Sequence, residues 1–149
     1  MPHLDKGRIF VQQKHRHSMK TILTNLIARN NFKFLNVTGK FGRGKHHNIT
    51  EAVNDLGLKH FTLEMASLDL FDLEVPGQNT KLKVEENTVL ILSDLDRTTT
   101  AVFNKVVDGI TRGNLFGLDL EKFVLVITTQ EQLDVETYLL NRSVILENK

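Results

Sequence analysis

The first 48 residues contain one acidic side chain, Asp5, and the whole chain contains no cysteine. Without cysteine there is no disulfide framework and no thiolate metal site, and the default expectation is a cytoplasmic protein. No apolar run approaches the roughly 18 residues of a membrane span. The start, Met1-Pro2-His3-Leu4-Asp5-Lys6, lacks the apolar core of a signal peptide. Repeats, low-complexity tracts and linker-like stretches are missing too. What remains is an ordinary globular composition: 149 residues, 40% hydrophobic and 25% charged, enough for one domain with a real core.

The shortage of acid in the first third has a consequence. A net charge of +1 joins two unlike parts. Residues 1–48 carry ten Lys/Arg (6, 8, 14, 16, 20, 29, 33, 40, 43 and 45) against Asp5, about +9, while the remaining nine Lys/Arg face seventeen acids, about −8. Five of the six histidines lie in the basic part. Two readings fit. One is a basic surface folded against an acidic half of the same chain. The other is a face, residues 6–45, that meets the phosphates of a nucleotide or of a nucleic-acid backbone.

Within that part, Gly39-Lys40-Phe41-Gly42-Arg43-Gly44-Lys45-His46 follows the apolar run Phe32 to Val37 and precedes a helical pattern over 48–56. Strand, glycine-rich loop, lysine and helix form the context of a phosphate-binding loop. Glycines let backbone N–H groups close around an anion at the positive end of the next helix. Gly39, Gly42, Arg43, Gly44, Lys45 and His46 are therefore the candidate nucleotide contacts, with Lys45 on the outer phosphates. The usual pattern ends in Ser or Thr, whose hydroxyl binds Mg²⁺. His46 stands there instead, and an imidazole suits that hard ion poorly.

The rest of the chain alternates strands and helices. Met19, Ile22, Leu23, Leu26 and Ile27 recur at helical spacing after Ser18. Ile49, Ala52, Val53 and Leu56 form a second helical face, closed by Gly57. Phe61 to Met65 reads as a strand, Leu68 to Val75 as a helical turn or short strand, and Pro76-Gly77-Gln78-Asn79 as a turn. Val89-Leu90-Ile91-Leu92 and Phe123-Val124-Leu125-Val126-Ile127 are wholly apolar strands, the kind found inside a parallel sheet. A helix on Ala101, Phe103, Val106, Val107 and Ile110 separates them, with a turn or tight hairpin at 113–117. A short helix over 131–140 and a strand at Val144 to Leu146 complete the pattern. The fold class is α/β, a P-loop NTPase-like three-layer sandwich with a mainly parallel sheet of about five strands. In such sheets ligands bind beyond the carboxyl ends of the strands. The glycine loop, Ser93-Asp94 and Gln130 all fall at such ends.

Taken in order, these stretches resemble the AAA+ ATPase family over roughly residues 8–149. The loop Gly39 to Lys45 is similar to the family's phosphate loop, and Val89-Leu-Ile-Leu-Ser-Asp-Leu-Asp-Arg97 to its Walker B strand and acidic sequence. Phe123 to Gln130 is similar to the sensor 1 strand, and Leu140-Asn-Arg-Ser143 to the region that supplies an arginine finger to a neighbouring subunit. Phe10-Val11-Gln12 resembles the adenine-contacting stretch, and together with Asn141-Arg142-Ser143 it is partly similar to clamp-loader-type subunits. The resemblance implies binding of ATP or ADP, with Mg²⁺ on Asp94 and catalytic roles for Asp94, Gln130 and Arg142. It also implies work in a homo- or hetero-oligomer, with DNA replication as a setting.

The departures from the family pattern bear on turnover. Aligned on Asp96-Arg97, Ser93 replaces the magnesium-binding Asp and Asp94 the catalytic Glu; a shift of one restores the Asp and puts Leu95 where the base belongs. Either way one carboxylate is missing. The chain stops at Lys149 with no helical lid after the finger region, so the expectation is one lid-less domain over 1–149 with a basic segment at 1–17. Phosphoryl transfer depends on positioning and charge stabilisation, so these losses weigh on hydrolysis more than on binding. A catalytically silent scaffold, possibly DNA-binding, is the alternative. Asp94 and Asp96 have an alternative of their own, as caps of the helix that follows.

Overall fold

The computed structural model describes residues 3–5, 8–12, 18–39, 44–67, 85–130 and 144–147. The chain opens with strands β1 (His3–Asp5) and β2 (Arg8–Gln12), then helix α1 (Ser18–Arg29) and strand β3 (Leu35–Thr38). Helix α2 (Lys45–Asp55), strand β4 (His60–Glu64) and strand β5 (Val89–Ser93) follow. Helix α3 (Thr100–Arg112) leads into a small hairpin, β6 (Asn114–Leu115) and β7 (Leu118–Asp119). The last two strands are β8 (Val124–Thr129) and β9 (Val144–Glu147).

Seven strands form one sheet in the order β1-β2-β9-β3-β8-β5-β4. Five of them are the expected parallel set: β9, β3, β8, β5 and the edge strand β4, which are fifth, first, fourth, third and second of the set in chain order. The other two strands extend it. β2 pairs in parallel with β9, and β1 folds back antiparallel on β2, so the first residues are a sheet edge.

Strand alternation divides the core into two layers. On one face Leu35, Val37, Val89, Ile91, Val124 and Val126 pack with Met19, Leu23 and Ile27 of α1 and Ile49, Ala52 and Val53 of α2. On the other, Phe34, Leu90, Leu92, Leu125 and Ile127 pack with Val102, Val106 and Ile110 of α3. The three-layer sandwich follows from these two stripes. Burying each such aliphatic side chain contributes about 1.5–3 kcal/mol before entropy is counted.

Several boundaries differ from the sequence expectation. Phe32 and Phe34 are buried but precede β3, which starts at Leu35. α2 starts at Lys45, three residues before the apolar periodicity begins, because Gly44 in the left-handed region (φ 76°) turns the chain straight into the helix. Met65 leaves β4 for a single 3-10 turn, Met65–Ser67. Gly57, at φ 70°, closes α2 as expected, and the residues of 113–117 do form a hairpin. The expected elements at 68–75, 76–79 and 131–140 lie outside the described residues. Among the described residues no helix is long and apolar enough to cross a membrane.

Gly109 tests the packing of α3. In an exposed helix interior, Gly→Ala stabilises by about 1 kcal/mol. Here a Cβ would stand 2.8 Å from the Asn114 carbonyl oxygen and 2.8 Å from Leu115 Cδ1. Gly109→Ala is therefore expected to destabilise by about 1–3 kcal/mol, the usual cost of overpacking. Urea denaturation measures the sign directly.

Candidate functional site

Three stretches meet beyond the carboxyl ends of β3, β5 and β8. Gly39 follows β3, and its N–H donates to the Thr129 carbonyl of β8 (3.1 Å), so the loop leaves the sheet tied to its neighbour. Gly44 and Lys45 return it at the first turn of α2. There Asn48 N–H donates to the Gly44 carbonyl (2.9 Å) and no side chain caps the helix. The open N–H groups at this end, and the helix dipole behind them, favour an anion.

Lys45 is the centre of the site. It is only 8% exposed, and its ammonium donates to the Gly39 carbonyl across the mouth of the loop. Burial pushes the ammonium below its usual value, while the carboxylates of Asp94 and Asp96 pull it back up. Lysine and both acids therefore lie within one electrostatic neighbourhood, though they come from separate stretches of sequence.

The two acids are held differently. Asp94 occupies the left-handed region (φ 57°, ψ 50°), and its N–H donates to Thr128 Oγ1 of β8 (3.0 Å). The Asp96 carboxylate accepts the Gln130 N–H with both oxygens (3.0 and 3.2 Å). Two hydrogen bonds thus stitch the β5 end to the β8 end. Beneath them Asn36 of β3 donates to the Ile127 carbonyl (3.2 Å) and to Thr129 Oγ1 (3.1 Å), joining β3 to β8 on the opposite face. Neither acid caps the next helix. Thr99 does, its hydroxyl accepting from Val102 N–H (3.3 Å), so the capping alternative for Asp94 and Asp96 is corrected.

His46 and His47 diverge. His46 Nε2 bonds to Thr62 Oγ1 of β4 (3.1 Å), and its ring lies edge-on to His60, 6.5 Å between centroids. His47 Nε2 meets Glu51 Oε1 one turn along α2 (3.2 Å). Among the described residues no group of three or more His, Cys, Asp or Glu could hold a metal ion.

Of the expected site residues, Gly39, Gly44, Lys45, Asp94 and Gln130 are brought together, and His46 stands beside them but faces β4. Gly42, Arg43 and Arg142 lie outside the described residues. The sequence reading missed Thr128 and the latch role of Asp96. Thr128 looks like the polar end of an apolar strand until the register sets it beside Asp94.

No protein-family model matches the chain, and no curated protein matches it. Solved structures do. The RuvB Holliday-junction branch-migration motor of Thermotoga maritima matches over 89% of this chain and 45% of its own length, with 21% identity and a TM-score of 0.60. A point mutant of that RuvB matches over 89% and 44%, with 19% identity and a TM-score of 0.59. C. elegans PCH-2 matches over 89% and 42%, with 15% identity and a TM-score of 0.48. The chain has the α/β, P-loop NTPase-like fold of the RuvB structures. At these identities the likeness is one of fold, and the chain spans less than half the length of these RuvB structures.

The stitch between β5 and β8 is testable. Thr128 is 1% exposed. Thr128→Val keeps its shape but leaves the Asp94 N–H without an acceptor, an expected loss of about 1–3 kcal/mol. Thr128→Ser restores the acceptor and recovers most of that loss in the same denaturation experiment.

Proposed function

We propose that this domain binds ATP or ADP at the N-terminus of α2, with Gly39–His46 as the phosphate cradle, and that it works as a nucleotide-held part of an oligomeric assembly or remodelling complex. The observation that carries the reading is Lys45. A lysine is rarely buried unless it is paired. This one sits at the first residue of a helix, after a left-handed glycine, with its ammonium turned across the loop mouth. A polyphosphate entering the loop would take the place of the Gly39 carbonyl as its partner.

The remaining groups fit the same ligand. The side chains at the strand ends beside Lys45 offer oxygen: the Asp94 carboxylate lies in its field, and Ser93 and Thr128 carry hydroxyls at the ends of β5 and β8. The imidazole of His46, next to Lys45, is engaged by Thr62. An oxygen donor set suits Mg²⁺, which Asp94 would hold and which would neutralise phosphate charge when bound. Gln130 would report the terminal phosphate, and Arg142 would act from a neighbouring subunit. Binding is the primary activity in this reading and hydrolysis is slow, because a serine stands at the end of β5 and a histidine follows Lys45.

A nucleic-acid target is favoured by two observations. Ten of the 19 Lys/Arg lie within residues 6–45, where there is no acid, and the RuvB structure of the same fold is a Holliday-junction motor. The catalytically silent scaffold remains the second reading, favoured by Ser93 and His46.

Calorimetric titration with ATP and ADP tests the proposal. Lys45→Ala is expected to weaken binding about 10- to 100-fold, the value of a hydrogen bond to a charged group. Failure of the wild-type chain to bind either nucleotide would sink the nucleotide reading and leave the scaffold. Proton linkage adds an independent check. The folded state holds the Lys45 proton less tightly than the unfolded state does, so stability rises with pH between the lowered pKa and about 10.5. A bound polyphosphate favours the ammonium and reverses that loss. Nucleotide binding at about pH 9.5 is therefore expected to take up protons, read from binding heats in buffers of different ionisation enthalpy.

A further inference from the structure

We propose that Glu64 supplies the carboxylate missing from the β5 end and is the catalytic base that orients and deprotonates the attacking water; this rests on the nucleotide reading above. The case comes from strand register. β4 and β5 run parallel with Glu64 opposite Ser93. Paired residues of parallel strands point to the same face. Leu90 and Leu92 of β5 enter the α3 layer, and Val89 and Ile91 the α2 layer, so Ser93 continues the α2 row. On β4, Phe61 and Leu63 pack towards α3, whereas Thr62 is bonded by His46 of α2. Glu64 therefore shares the α2 face with Ser93.

That row continues into β8. Leu92 pairs with Ile127, and one step further Ser93 stands level with Thr128, whose hydroxyl already holds Asp94. Thr128, Ser93 and Glu64 thus form one line across three adjacent strands, below the N-terminus of α2. The His46–Thr62 bond brings the first turn of that helix over β4. A side chain from the residue after Lys45 reaches the strand position two before Glu64. The line ends in a carboxylate on its outer side.

The chemistry divides between two acids. Asp94 lies in the field of Lys45 and is tied down through its backbone. Glu64 is exposed, and among the described residues its carboxylate makes no ion pair or hydrogen bond. It is open to water and available as an acceptor. In the proposed step the water oxygen bonds to the terminal phosphorus of ATP and the bond from that phosphorus to the bridging oxygen of ADP breaks, with its electron pair leaving on ADP. The water proton passes to the Glu64 carboxylate and then to solvent. Serine at the end of β5 removes a carboxylate from that strand, and glutamate on the next strand restores one at the same level.

The experiment uses the full chain and compares the wild type with Glu64→Gln and Glu64→Asp. Affinities for ATP and ADP are measured by calorimetry, folding by thermal melting, turnover under single-turnover conditions, and transition-state complementarity by trapping ADP with aluminium fluoride. Glu64→Gln is expected to keep both affinities within about 2-fold of wild type. Its melting temperature should not move, since the side chain is exposed and unpaired. Turnover should fall on the order of 10²- to 10⁴-fold, the usual contribution of a positioned base, and stable trapping with aluminium fluoride should be lost. Glu64→Asp keeps the charge on a shorter stem and should retain part of both signals. Wild-type turnover and trapping in Glu64→Gln would overturn the assignment and leave nucleotide binding intact. So would a wild-type chain that binds ATP but neither hydrolyses it nor traps the analogue. A wild-type chain that binds no nucleotide would remove the nucleotide reading, and the role of Glu64 with it.

Discussion

The buried ammonium of Lys45 is the constraint to which the other features of the site answer. A cation out of water is costly unless oxygen atoms surround it. The chain meets that cost with parts from four places: the Gly39 carbonyl, the fields of Asp94 and Asp96, and the α2 turn that carries the lysine. Each contributor is itself fastened. Gly39 is bonded to Thr129, Asp94 to Thr128, and Asp96 to Gln130. Without those fastenings the lysine would swing into solvent and the loop would lose its charged centre. A lysine ammonium already held by an oxygen partner needs little reorganisation to receive an anion, because the exchange is one oxygen partner for another.

The sheet makes this arrangement accurate. Residues from positions 39, 94, 96, 128 and 130 meet because β3, β8 and β5 are adjacent and parallel, so their carboxyl ends lie at one level. The connections between them are long, yet the relative height of the ends is set by main-chain register. The polar residues that lock the ends are among the most buried in the protein: Asn36, Thr128 and Thr129 are each at most 1% exposed. Thr128, Thr129 and the Asn36 amide nitrogen find partners across strands, whereas Asn36 Oδ1 has none among the described residues; the buried polar groups that are satisfied rigidify the surrounding structure. Here they fix the edge of the sheet from which the site is built.

Much of the fold was legible because the strands are strongly apolar and the helices strongly periodic. Val89–Leu92 and Phe123–Ile127 admit few other readings, and Gly57 ends α2 for the expected reason. What could not be read was lateral. Periodicity says that Thr128, Ser93 and Glu64 end strands. It does not say that the three strands are neighbours in that order, or that the residues share a face. The start of α2 was placed late because Lys45, His46 and His47 are polar and carry no apolar period, whereas the left-handed Gly44 decides where the helix begins. The role of Asp96 was hidden for a related reason. An acid just before a helix fits a cap, and only the proximity of β8 reveals the Gln130 N–H as its partner.

The same distinction bears on how the departures from the family pattern are weighed. A motif read along one strand treats Ser93 as a loss. A site read across the sheet asks instead which side chains reach the α2 face at that level, and the neighbouring strand answers with a carboxylate. Chemistry constrains the position of a charge, not the strand that delivers it. The histidine after Lys45 submits to the same argument. His46 is a poor donor for a hard cation, but its ring is bonded to Thr62, so it neither supplies a ligand nor fills the cradle. It fastens the first turn of α2 to β4. Any shift of α2 must then either break the His46–Thr62 bond or carry β4 with it, which links the first turn of α2 mechanically to the strand that ends in Glu64.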